Sequence, residues 1–130
     1  MMCVYVIDSA AVRTTICSAV DDVVATVDGE PVTLTAHRTR PDTVNAYDAW
    51  PEFRWATPVT AAIAETSWYV LAALPGADAQ SAVDAGDVVM SALASALMDL
   101  GRVERVEPVL IPVTDQPNAG VPGVRCELTI

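Results

Sequence analysis

The 130-residue chain contains no lysine and a single histidine. Its seven cations are all arginines, at positions 13, 38, 40, 54, 102, 105 and 125, set against 17 acidic residues; the formal charge is -10 and the isoelectric point lies near 4.2. Without lysine a P-loop lacks the ammonium that reaches the phosphates, and Gly76, Gly86, Gly101, Gly120 and Gly123 are spaced neither for that loop nor for G-x-G-x-x-G. The negative charge repels phosphate backbones and anionic lipid, which argues against a general nucleic-acid or membrane binder. With His37 alone there is no imidazole constellation for a nucleophile-base triad or a nitrogen-ligated metal, so no catalytic, cofactor-binding or metal-ligating residue is expected. Cys3, Cys17 and Cys126 are odd in number and lack C-x-x-C spacing, which argues against a disulfide framework or zinc site and leaves reduced, buried thiols. Asp, Glu or Arg interrupts every apolar stretch well short of the roughly 18 residues that span a membrane. The apolar start Met1 to Ile7 has no basic flank and is closed by Asp8, consistent with a protein made in the cytoplasm.

What is present is apolar. Hydrophobic residues make up 52% of the chain, mean hydropathy is +0.37 and charged residues are 18%, a balance that excludes disorder over most of its length and fits one domain over residues 1–130. Val12, Ile16, Ala19, Val20, Val23 and Val27 recur at spacings of three and four, predicting a helix from Ser9, its N-cap, to Val27, stopped by Asp28-Gly29-Glu30-Pro31. Alternation predicts a strand over Pro31 to Arg38, with His37 exposed on its polar side. Pro41, Pro51 and Pro58 predict an irregular stretch from Thr39 to Ala64. Thr66 to Leu74 reads as a central strand ended by Pro75-Gly76. Asp78 to Leu100 reads as a long helix with Val83, Val89, Leu93, Ala96, Leu97 and Leu100 on its apolar face, ended by Gly101. Arg105 to Thr114 and Gly123 to Ile130 form a closing hairpin around the turn-rich Asp115 to Gly120. Only one strand connection contains a helix. The fold class is therefore α+β, a mostly antiparallel sheet of four to five strands with an N-terminal helix and one long helix packed on one face.

The adjacent carboxylates Asp21 and Asp22 point about 100° apart on a helix and read as a solvated face rather than an acid pair. His37, Arg38, Arg40 and Arg54 are the local concentration of positive charge, and Tyr47, Trp50, Phe53 and Trp55 crowd the same region. Tyr, Trp and Arg dominate binding hot spots, so Arg38, Arg40, Tyr47, Trp50, Phe53, Arg54 and Trp55 are candidate interface residues. The alternative, equally open on this reading, is that the rings plug one end of the sheet as core.

The order of Asn45 to Phe53 with Ala49-Trp50-Pro51, then Trp68 to Pro75, the helix to Leu100-Gly101, and Val103 to Pro108 with Val106-Glu107-Pro108 resembles the tail terminator proteins of long-tailed bacteriophages. The resemblance runs from Asn45 to Ile130, about two thirds of the chain. It implies a small structural α+β subunit without catalytic residues or cofactors that forms a six-membered ring on the head-proximal end of the tail tube. Such a ring stops tube polymerisation and joins the head. The implied partners are further copies of the chain, the tail tube protein and a head-to-tail connector protein, with DNA passing through without specific binding, and the implied location is the virion tail. A head-to-tail connector or another tail-completion protein is the alternative within this class; a small ligand-binding module or hydrolase is the alternative outside it. Six copies would carry a formal charge of about -60. Acidic groups must then face solvent or the lumen, Asp84 and Asp87 being candidates, while Arg38, Arg40 and Arg54 are free to pair across subunits.

Overall fold

The computed structural model describes residues 8–59, 64–76, 79–113 and 116–130. The apolar start Met1 to Ile7, Asp78, Thr114 and Asp115 lie outside them. Helix α1 (Ser9–Val20) is followed by strands β1 (Val24–Val27), β2 (Glu30–Thr33), β3 (Thr35–Ala36), β4 (Asp48–Pro58) and β5 (Ala64–Ala73). Helix α2 (Ala79–Leu97) then leads to β6 (Arg102–Val113) and β7 (Gln116–Thr129). The main sheet has five strands in the order β3-β4-β5-β7-β6, with only β3 and β4 parallel, and β1 and β2 form a separate hairpin. The fold is α+β, as the element pattern implies.

The first helix is shorter than its apolar spacing predicts. Asp8, not Ser9, is the N-cap, its carboxylate accepting from the Ala11 amide at 3.0 Å, and the helix ends at Val20. Asp21 and Asp22 are a turn rather than a helix face: Asp22 has φ 62°, and the Asp21 carboxylate accepts from the Ala36 amide at 3.0 Å. Asp28 and Gly29, with φ 52° and 80°, are the two central residues of a tight hairpin turn between Val27 and Glu30. Both signs suit the primed turn that matches strand twist. A helix-like spacing of valines thus conceals an Asp-Gly hairpin. The single strand expected over Pro31 to Arg38 is broken into β2 and β3 at the buried Leu34, whose amide donates to Val23 and whose carbonyl accepts from Asp22.

The stretch from Thr39 to Ala64 is not irregular throughout, because residues 48–58 form β4. Proline is tolerated in a strand when its missing N–H faces away from the partner. Ala49 turns its carbonyl away from β5 to accept from the His37 amide at 2.7 Å, so by alternation Pro51 faces outward too, and its carbonyl accepts from Arg13 at 3.1 Å. Beyond a register shift between Phe53 and Trp55, the pairing of Trp55 with Ser67 and Thr57 with Glu65 leaves Pro58 outward. The other edge obeys the same rule. Odd residues of β7 point to β6, since Pro122 accepts from Leu74 on the β5 side, so Pro108 and Pro112 of β6 face away from the sheet. The β6–β7 hairpin is also longer than expected: most of Asp115 to Gly120 is strand, and a shift after the Pro112–Gly120 pair absorbs the extra residues.

α2 forms where expected but ends at Leu97, three residues before Leu100; Ala85, Val89, Leu93 and Leu97 form its buried stripe and Val83 is 58% exposed. Ile16 and Val20 of α1, this stripe, and the even-numbered residues Trp68, Val70, Ala72, Val124, Cys126 and Leu128 of β5 and β7 make one core. Trp68 is fully buried and its indole N–H donates to Thr66 Oγ1 at 2.8 Å. Burial pushes the Cys126 thiol up to about 11, so it is an inert core group; Cys17 is only half-buried. At Gly101 a Cβ would lie 2.2 Å from the Thr129 carbonyl oxygen, a backbone atom that cannot rotate away. Gly101→Ala is expected to cost about 1–3 kcal/mol, read as a lower urea midpoint; an unchanged midpoint would contradict this packing.

Candidate functional site

The odd-numbered side chains of β5 and β7 project from the opposite face of the sheet. At one end that face is covered, by Val44 packed on Trp50, Leu71, Ala73 and Ile111. Toward the other end it is open and forms a concavity of about 390 Å³ lined by Arg54, Trp55, Ser67, Arg102, Arg105 and Glu127 among others. Register builds the whole face in rows: Glu52, Tyr69, Glu127 and Arg105 lie side by side across four strands, beside Trp50, Leu71, Arg125 and Glu107. The irregularity after Phe53 adds Arg54 to the face that carries Trp55.

The charges interlock. The Arg54 guanidinium lies 3.8 Å from the Trp55 ring centre and 4.1 Å from that of Tyr69, and Arg125 is 4.3 Å from Tyr69, so one phenol ring meets two cations. Glu127 joins Arg54 at 3.4 Å and Arg105 at 3.6 Å. Arg125 donates to Glu107 through both Nε and Nη2, holding that carboxyl below its ordinary value and itself raised by the same contact. Four of the seven arginines (54, 102, 105 and 125) and five glutamates (52, 65, 104, 107 and 127) belong to this face or its rim, leaving it near neutral on a chain of charge -10.

The candidate residues do not form one patch. Arg54 and Trp55 (52% exposed) belong to the open face. Trp50 is 1% exposed, with its indole N–H donating to Glu52 at 3.1 Å, and Tyr47, with φ 68°, ties β5 to β3 through its backbone. These two are core and framework. Phe53, 40% exposed, sits edge-on to Trp68 on the other face. Arg38 is exposed, whereas Arg40 stacks on Trp50 and donates to the Pro112 carbonyl. Arg54 is not free: Glu127 and two rings hold it. The strict alternation of Val124-Arg125-Cys126-Glu127-Leu128 puts Arg125 and Glu127 on one face, whereas Tyr69, Arg105 and Glu107 reach them only through strand pairing.

His37 is not an exposed, idle side chain. It is half-buried, with Nε2 3.0 Å from Oδ1 of the buried Asp48, whose Oδ2 accepts from the Asn45 amide at 2.8 Å. The Cys17 thiol donates to the His37 backbone carbonyl at 3.3 Å, not to the ring, and burial raises its pKa. This arrangement fastens β3 to β4. Among the described residues no group of three His, Cys, Asp or Glu side chains could hold a metal ion, and no helix is long and apolar enough to cross a membrane. No protein-family model, curated protein or solved structure matches the chain.

Trp50→Ala is expected to lower unfolding free energy by about 3–5 kcal/mol, whereas Trp55→Ala changes it by less than about 1 kcal/mol; chemical denaturation of the two variants checks the division between core and surface. Glu107 has a depressed carboxyl pKa in the folded state, so its contribution is present above the ordinary value of 4.5 and lost as pH falls through and below it. Glu107→Gln is expected to flatten the loss of stability with acid in that range. An unchanged pH slope would show that the Arg125 contact does not act on folding.

Proposed function

We propose that the chain is a structural subunit without a catalytic role that assembles with copies of itself into a ring at the head-proximal end of a phage tail tube, where it ends tube growth and offers the head-joining surface. The observation that carries this reading is the open sheet face: arginines and aromatic rings held in place by glutamates, near neutral on a strongly acidic chain. Tyr, Trp and Arg held rigidly lose little freedom on binding, and a near-neutral face avoids the repulsion that the remaining charge imposes on a neighbour. The resemblance of Asn45 to Ile130 to tail terminator proteins supplies the ring and its position. It also supplies the partners: the tube protein, a connector protein, and DNA that passes an acidic lumen without being held.

The concavity has the volume of a small-molecule pocket. Its arginines 54, 102 and 105, however, are already paired with Glu127, Glu104 and Glu107, so an anionic ligand gains little there and a protein surface is the better occupant.

Electron microscopy of the protein mixed with tail tubes from the same phage tests the reading. The expected result is a six-membered ring on one tube end and arrest of tube growth. A twofold dimer in assembled tails, or a lumen lined by arginine, would overturn it.

A further inference from the structure

We infer that two copies dock head to tail, the Phe53 ring on the β4 edge of one copy seating in an apolar groove beside α2, on the β6 side of the next. This deepens the ring reading above and rests on it.

The groove has a volume of about 180 Å³ and is lined chiefly by Leu74, Val83, Gly86, Met90, Pro108 and Pro122. An aliphatic cavity of about 150 Å³ holds a benzene ring, so one aromatic side chain is the matching occupant. Gly86 forms part of the wall, where a Cβ would add a methyl group in van der Waals contact with Leu74 Cδ1 at 3.4 Å. Val83, exposed over more than half its surface, forms the lip.

Phe53 is the matching knob. It projects on the face that carries Trp68, whose ring holds it edge-on at 5.3 Å, so little rotamer freedom is left to lose. Trp55 is less suited, since it lies on the opposite face under Arg54. Charge fixes the partner as a second copy. Beside the knob, Arg13 reaches the carbonyls of Arg38 and Pro51 at 3.1 Å, which places Arg38 at the same rim. At the groove, Asp87 is exposed, with Asp84 almost one turn earlier on α2. Knob and groove lie at the two edges of one five-stranded sheet, and unlike patches that recognise each other generate head-to-tail contacts.

The test is sedimentation of the whole chain at up to millimolar concentration, with tube capping scored in parallel. The native protein is expected to associate beyond a dimer, and Phe53→Ala to weaken association roughly thirtyfold. Arg38→Asp and Asp87→Arg, both at exposed positions, are each expected to lose assembly alone and regain it when the two proteins are mixed, because every contact in an alternating ring is then complementary. A native chain that stays monomeric, association that stops at a dimer, an undisturbed Phe53→Ala, or a mixture that does not recover would each overturn the docking. A recovered mixture that leaves tube growth unaffected keeps the docking and rejects the tail role.

Discussion

Proline guards both sides of the five-stranded sheet: β6 at one edge and, beyond the two residues that β3 covers, β4 at the other. An edge strand exposes a row of unpaired backbone groups that invites another strand. Here every proline within β4 and β6, at positions 51, 58, 108 and 112, stands where its missing N–H would have pointed outward. Arg13 and Arg40 occupy the carbonyls of Pro51 and Pro112 as well. Neither edge can accept a full ladder, so the contacts between copies proposed above would run through side chains. This constraint directs attention to the two surfaces that remain, the open face and the grooved flank of α2.

Those surfaces follow from a division of labour between the faces of the sheet. Even-numbered side chains of β5 and β7 enter the core with both helices, while odd-numbered ones build the arginine, glutamate and tyrosine array. The array is made mostly of partly exposed pairs, which contribute little to stability singly. In the proposed assembly its consequence is for recognition, because each arginine is aimed before a second copy arrives. A change in Glu107 or Glu127 should therefore disturb binding more than folding, the reverse of a change in Trp50.

Strong periodicity made part of this fold legible. The central strand near Thr66 to Leu74, the long helix and the closing hairpin were all readable, because buried residues repeat there with one period over many positions. The failures have physical causes. Val20, Val23 and Val27 fit a helix face and a short strand alike, and Asp28-Gly29 serves equally as a helix stop and as the centre of a hairpin turn. β4 was hidden by its own prolines, since a proline marks a break only if its N–H is needed, and which way that group points is set by pairing partners far away in sequence. The candidate site suffered likewise. Its aromatics were visible as a cluster, but alternation and one register shift distribute Trp50, Phe53 and Trp55 among core, one face and the other, while Tyr69 and Arg125 join the site only through strand pairing.

In the proposed assembly, contacts between copies run through side chains because proline closes the edges. Replacing Pro108 and Pro112 together with valine, which restores two outward N–H donors on β6, tests it most directly. Light scattering with far-ultraviolet circular dichroism on the double variant should show open-ended, strand-rich aggregates that persist when Phe53→Ala is added. A double variant whose association and strand content match those of the native chain would contradict the account.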